Sequence, residues 1–272
     1  MRRTGRALSA LLFALVSCTS RAATDHTPTV SDQSLRIYAS APLLPMAYQL
    51  VNRYAVVNPG VTFDVIGGSY ESVYQQANAD RNSYFFTEHL PPQPMWAAPI
   101  GQDGIAVIVH PDNPMRALSS EQVRDIYRGQ ITSWGALGSF DYPIAVITRE
   151  DGSGTRAEFE QLVIGERDTT RLARIAPSGE AMIDAVGRDP AAIGYVSFSL
   201  LEPRVRAVLL DNAYPSAAAV AENRYPLRSI LYIAGYHEPE NHYRAFIFWV
   251  QSPEGQRLVA RQFAPLVTPG AG

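Results

Sequence analysis

The chain has 272 residues, 46% of them hydrophobic and 18% charged, with a formal net charge of −3. This is the composition of a folded globular protein, long enough for one large α/β domain or two lobes with their own cores, and it excludes a disordered chain. All 23 basic residues are arginine and no basic run follows the first few positions, which excludes a Walker-type phosphate loop and Schiff-base chemistry and argues against a nucleic-acid partner.

The opening "MRRTGRALSALLFALVSC" joins a positive segment (Arg2, Arg3, Arg6) to an apolar run from Ala7 to Val16. That run is too short to span a bilayer and reads as an export signal over residues 1–17. The mature chain is therefore expected in the periplasm or cell envelope. "LVSC" fits the Leu–small–small–Cys pattern of lipoprotein processing, with Cys18 as the lipidated N-terminus; Cys18 is the only cysteine, so it has no internal disulfide partner. The competing reading is ordinary cleavage after Ala22 or Ala23. Loss of residues 1–17 removes three arginines and takes the net charge from −3 to −6, so any bound anion must be held by local geometry and not by bulk charge. Residues 18–33, rich in Thr, Ser and Asp, read as a tether.

Strand and helix patterns then alternate. "SLRIYAS" (34–40) reads as a strand, "MAYQLVNRYAVVN" (46–58) as a helix, "VTFDVIGG" (61–68) as a strand, and "SYESVYQQAN" (69–78) as a helix. The strand "GIAVIVHP" (104–111) and the Ser-capped helix "SSEQVRDIYRG" (119–129) follow, the latter carrying Val123, Ile126 and Tyr127 on one face. "YPIAVIT" (142–148) is a further β-rich run. Beyond it a helix is expected over Thr155–Val163, another over 179–189, a strand at "AIGYVSFS" (192–199), and a capped helix from Ser252 that stops before Pro265. Such alternation implies an α/β sheet with crossover connections.

In open α/β sheets, ligands bind where strands end and helices begin. One such junction is "ITREDGSGTRAEFE" (147–160), where Arg149 closes a strand, Gly152 and Gly154 flank Ser153, and a helix follows. Free N–H groups, hydroxyls and an arginine fork converging there suit an anion; the bland reading is an ordinary strand–turn–helix with a serine cap. "YASAPLLP" (38–45), "IGGSYES" (66–72) and "APSGEAM" (176–182) are comparable junctions. Together they place Ser40, Ser69, Ser153 and Thr155 at equivalent strand ends, as a shared oxyanion cradle requires.

The ordered string "GIAVIVHPDNPMRALSSEQVRDIYRGQITSWGALG", "ITREDGSGTRAEF", "AIGYVSFS" and "SPEGQRLVARQFAPLV" resembles the PstS-like phosphate-binding proteins of bacterial ABC transporters, over roughly residues 34–267. The resemblance implies an α/β, two-lobe periplasmic binding protein fold of type II, with the ligand trapped in a cleft between lobes that close around it. The first lobe is expected from residues 34–104 plus 201–272 and the second from 105–200. By position, Arg149 would fork onto the oxyanion, and Ser153, Gly154 and Thr155 would supply hydroxyl and backbone donors. Ser69 and Ser40 would contribute from the first lobe. The resemblance further implies inorganic phosphate or a related oxyanion as ligand, an ABC permease in the inner membrane as partner, a monomeric state and no cofactor.

Two departures stand out. The first loop carries Leu43 and Leu44 where the family offers small residues and a threonine, and "YFFTEHLPP" (84–92) stands where the family has a stretch resembling "DIGxSDxP", making Glu88 the nearest acidic match. They feed an alternative, an exported binding-fold protein with an adhesion, signalling or secretion-associated role that has lost transport. An enzyme is not expected: "DGSGTR" lacks the glycine of a G-x-S-x-G nucleophile elbow, and "HEPENH" (237–242) is not the H-E-x-x-H zinc pattern. The five histidines read as scattered, solvated loop residues, and "YFF" (84–86) and "FIFW" (246–249) as core.

Overall fold

The computed structural model describes residues 33–165 and 167–266. The export signal and Cys18 lie outside them, as does the tether apart from its last residue, which opens the first strand. The chain runs β1 (Gln33–Ser40), α1 (Leu44–Val57), β2 (Val61–Gly68), α2 (Tyr70–Ala79), β3 (Tyr84–Thr87), β4 (Trp96–Val109), β5 (Ala117–Leu118), α3 (Ser120–Tyr127), β6 (Ala145–Arg149) and α4 (Gly154–Phe159). It continues with β7 (Arg174–Ala176), α5 (Gly179–Gly187), β8 (Ala192–Ser197), β9 (Arg206–Ala207), β10 (Leu209–Leu210), α6 (Ala217–Ala221), β11 (Arg228–Gly235), α7 (Asn241–Gln251) and α8 (Pro253–Val259).

Helix starts are set locally. Ser119 accepts from the Gln122 N–H at 3.0 Å while the Gln122 amide oxygen accepts from the Ser119 N–H at 2.8 Å, a reciprocal cap that satisfies two otherwise orphaned donors of α3. Ser69, Ser153, Ser178 and Ser252 cap α2, α4, α5 and α8 through the side-chain oxygen alone, each accepting one backbone N–H of the first turn.

The strands form a sheet in the order β2-β1-β3-β11-β4-β8-β6-β7, with β9 against β4. β1 is parallel to β2 and β3, and β6 is parallel to β7 and β8. β4 is the long crossing strand: it pairs with β11 over residues 96–104 and with β8 over residues 105–109. Apolar side chains gather on either side of this crossing. One core holds Ile37, Leu43, Leu50, Phe86, Ile233 and Phe246, and the other Val107, Tyr127, Phe159, Ile193, Tyr195 and Tyr225. The architecture is the expected α/β fold of two lobes. Val205, Val208, Leu210, Val220 and Tyr225 pack in the second core, although the sequence reading returns the chain to the first lobe at residue 201.

Some element ends differ from expectation. The helix expected over Thr155–Val163 is α-helical only through Phe159 and closes as a π-type turn over Glu160–Ile164, its last bond running from the Gly165 N–H to the Glu160 carbonyl at 2.8 Å. The C-terminal helix stops at Val259 and not at Pro265, because Ala264 exchanges two backbone bonds with Gln102, at 2.7 and 2.9 Å, and is drawn onto the sheet. No helix among the described residues is long and apolar enough to cross a membrane.

Candidate functional site

The carboxyl ends of β1 and β3, in the first lobe, face the β6–α4 turn of the second. Ser40 ends β1 with no exposed surface, and its hydroxyl donates to Oε2 of Glu88, the residue after β3. Glu88 is 3% exposed, and its other oxygen, Oε1, is buried without a hydrogen-bond partner. An orphaned buried acceptor costs about 1–3 kcal/mol, so it marks a place where a donor belongs.

Oε1 lies against the start of α4. A Cβ built on Gly154 would stand 2.7 Å from Glu88 Oε1 and 3.0 Å from its carboxyl carbon, so this close approach requires glycine. Ser153 and Thr155, each 5% exposed, flank Gly154. The Ser153 oxygen accepts from the Arg156 N–H at 3.3 Å, which leaves its hydroxyl proton free to donate. Ser69 caps α2 through the Ser72 N–H at 3.2 Å and is exposed. Its helix reaches the same turn when the Glu71 N–H donates to the Gly152 carbonyl at 3.4 Å; Gly152 has a φ of +79°. Direct contacts thus bring together Ser40, Glu88 and Gly154, with Ser153 and Thr155 alongside, while Ser69 meets the turn only through its neighbour.

Arg149 is 5% exposed at the end of β6. Its Nε and Nη2 donate to Glu150 at 2.7 and 2.8 Å, so one edge of the guanidinium is already forked onto a carboxylate. A fork onto an anion is available only from the Nη1 end, which lies 3.6 Å from the Cβ position of Gly179 at the start of α5. The strand end is braced by Tyr195, whose hydroxyl accepts from the Arg149 N–H at 3.2 Å and bonds Thr148 at 2.9 Å. Burial opposes ionisation of Glu150, but the Arg149 bonds and charge outweigh it and hold the carboxyl below the usual range.

Two neighbouring residues carry no signal in the sequence. His89 is 9% exposed, which corrects its reading as a solvated loop residue: Nδ1 lies 2.6 Å from Glu158 Oε1 and Nε2 lies 2.8 Å from the Gly154 carbonyl. Asp103 is 3% exposed in β4 beside the crossing point, and accepts from the Gly104 N–H at 2.7 Å. Burial pushes its carboxyl up to about 7 against the bonds from Ser197 and Gly104. Burial also raises Glu88, against the Ser40 bond and the His89 charge. Leu43 and Leu44 have a packing explanation: Leu43 is fully buried in the first core, and Leu44 leans over Gly67, where any Cβ would collide with it. Among the described residues, no cluster of three or more His, Cys, Asp or Glu is placed to hold a metal ion.

The PBP superfamily domain model matches residues 22–254. The chain belongs to this superfamily of periplasmic binding proteins. Among relatives, it is 26% identical over 234 residues to the phosphate-binding protein PstS of Bacillus subtilis, covering 83% of this chain and 78% of that one. To PstS of Borreliella burgdorferi it is 21% identical over 252 residues, covering 85% and 89%. Among solved structures, it is similar to a candidate phosphate ABC transporter substrate-binding protein from Clostridium perfringens with bound phosphate. That match has a TM-score of 0.80 at 28% identity and covers 87% of this chain and 100% of the other. An ABC-type phosphate transport receptor from Vibrio cholerae matches with a TM-score of 0.73 at 26% identity, covering 84% and 98%.

Proposed function

We propose that this superfamily member is the solute receptor of an ABC importer, that its ligand is phosphate or a similarly protonated oxyanion, and that it binds and releases that ligand without chemistry. The reading is carried by Glu88: a buried carboxyl with one oxygen held by Ser40 and the other, Oε1, unpartnered against the first turn of α4. An ionised carboxylate offers only acceptors, so the group it awaits is an O–H on the ligand. Gly154, Ser153 and Thr155 then offer donors to the ligand's unprotonated oxygens, with Arg149 at the Nη1 end and Ser40 and Ser69 closing the first-lobe side. The named relatives, phosphate-binding proteins among them, support this choice.

The same reading assigns lobes of residues 34–104 with 228–266, and 105–227, following the two cores. It places the mature chain in the cell envelope, anchored through Cys18 or free, where a monomer would hand ligand to an inner-membrane permease. The alternative of a binding fold without transport loses one of its grounds, since Leu43 and Leu44 serve packing. Calorimetric titration of the mature chain with phosphate, arsenate and sulfate tests the proposal. Phosphate and arsenate are expected to bind with sulfate far weaker; no heat and no thermal shift at millimolar phosphate would refute it, because a ligand of the folded state alone must stabilise that state.

A further inference from the structure

We propose that His89 is a protonated clasp between the lobes, so that closure over the ligand takes up a proton on its ring. The inference rests on the receptor reading above and names a residue that tunes the same site. His89 follows Glu88 on the first lobe, where its backbone N–H donates to Thr87 Oγ1 at 3.0 Å. Both ring partners belong to the second-lobe helix α4: the Gly154 carbonyl at 2.8 Å from Nε2 and the Glu158 carboxylate at 2.6 Å from Nδ1.

A carbonyl and a carboxylate can only accept. A neutral imidazole has one N–H and would leave one of these contacts as two facing acceptors, so both are satisfied only when both nitrogens carry protons. With the ring nine-tenths buried, an unmade bond cannot be exchanged cheaply for water.

The surroundings favour the cation. Glu88 lies next to it in the chain, Glu158 faces it from α4, and Asp103 of β4 feels both of these acids. From α2, the Tyr70 ring packs edge-on at 4.6 Å; its phenol is pushed up by burial and then by Tyr74, Glu71, Glu88 and Glu158, so it stays neutral near pH 7. Burial alone would disfavour the imidazolium, but the Glu158 bond and charge, then Glu88 and the Gly154 carbonyl, raise its pKa above the ordinary histidine value. Separating the lobes removes Glu158 and Gly154 together. The stabilisation of the closed form is therefore complete below the open-form pKa of His89 and is lost as pH rises through the closed-form pKa.

The test uses the mature chain with inorganic phosphate as probe. In the phosphate-loaded protein at pH 6, nitrogen NMR should show both His89 ring nitrogens protonated, with a pKa above the ordinary value that Glu158→Gln lowers. Phosphate affinity is measured at pH 6 and pH 8.5 for wild type and His89→Gln, whose amide does not titrate. Phosphate's own ionisation cancels in the ratio of the two proteins. That ratio should be larger at pH 6, by about tenfold for each unit by which closure raises the pKa. A singly protonated ring at pH 6, a pKa unmoved by Glu158→Gln, or a pH-independent ratio overturns the clasp. Failure of wild type to bind phosphate at either pH would instead sink the receptor reading. The clasp is then judged on the ligand-free protein: a raised His89 pKa that falls in Glu158→Gln, with a radius of gyration that grows from pH 6 to 8.5, upholds it, and an ordinary pKa with an unchanging radius rejects it.

Discussion

Replacing Glu88 with Gln should collapse the preference for phosphate over sulfate. In the wild type, the Ser40 hydroxyl donates to Oε2 and leaves Oε1 as the free acceptor. Phosphate at neutral pH brings a proton to Oε1 and gains a hydrogen bond to a charged group, about 1.5–3 kcal/mol, whereas sulfate brings only lone pairs. In the variant, the amide oxygen takes the Ser40 hydroxyl, so the NH2 group occupies the Oε1 position. Phosphate loses its charge-assisted bond, while sulfate gains a neutral N–H donor worth about 0.5–1.5 kcal/mol. Together these shift the ratio by about 2–4.5 kcal/mol, roughly thirty- to two-thousandfold.

Competition calorimetry at pH 8 reads that ratio, and an unchanged ratio would show that Glu88 does not touch the ligand. The wild type carries an internal check on the sign. Burial raises the Glu88 pKa, so acidification protonates Oε1 before an exposed glutamate would titrate and turns it from acceptor to donor, as the amide does. Discrimination should therefore be greatest at alkaline pH and fade as pH drops through the raised pKa. Stability runs the opposite way: a carboxyl with a raised native pKa stabilises the fold most below its unfolded pKa and loses that contribution as pH rises. The ligand-free Glu88→Gln protein should accordingly melt no lower than wild type at neutral pH, which separates loss of selectivity from loss of fold.

Arg149→Ala should abolish the phosphate-induced rise in melting temperature, since truncating one partner of a buried charged contact costs on the order of 2–5 kcal/mol; a retained shift in thermal scans would remove Arg149 from the site. Gly154→Ala should weaken phosphate binding by tenfold or more by calorimetry, because its Cβ would stand 2.7 Å from Glu88 Oε1 and displace the carboxylate; wild-type affinity would contradict that close approach. Asp103→Asn should flatten the pH dependence of stability. With a native pKa of about 7, Asp103 stabilises the fold fully below its unfolded pKa and loses up to about 4 kcal/mol as pH rises toward 7. Urea titrations showing the same slope in variant and wild type would refute this.

Features that depend on neighbours in the chain were legible. Ser69, Ser119, Ser153, Ser178 and Ser252 each cap the helix that follows, so one serine and a few downstream residues suffice to place those starts. The same locality made Arg149, Ser153 and Thr155 visible as a strand-end cluster. β11 escaped the reading because its partners β3 and β4 lie more than 100 residues away, and nothing in "RSILYIAG" announces that it joins the two of them. The edge of Arg149 taken by Glu150 was equally hidden, since adjacent residues can point either way until the strand end is packed. Glu88 was legible as an acid near the site through resemblance. Its contact with Gly154, 66 residues on, exists only when the lobes meet, and the same apposition turns His89 from an unremarkable loop residue into a bridge.

On the receptor reading, the charges around the site bear on how an acidic chain would hold an anion. Arg149 is forked onto Glu150, Arg156 is paired with Asp151 and Glu160, and His89 faces Glu158, so each cation near the β6–α4 turn already has its own acid. No net positive field remains there to attract anions indiscriminately. On the receptor reading, recognition would then rest on donors with fixed directions, the Nη1 end of Arg149, the Ser153 and Thr155 hydroxyls and the N–H groups of the turn, which satisfy any tetrahedral oxyanion about equally. Selectivity requires an element that rejects, and an acceptor-only carboxylate supplies it by penalising a ligand without a proton. The residue must also be buried, or water would relieve the penalty. Glu88 meets both conditions, at 3% exposure with Oε1 unpartnered, and its burial has its own cost in a raised pKa. An aspartate at this position would be shorter by one methylene and would stand farther from Gly154. The glutamate therefore reaches across to the opposite lobe, and on the receptor reading discrimination would be a property of the closed form rather than of either lobe alone.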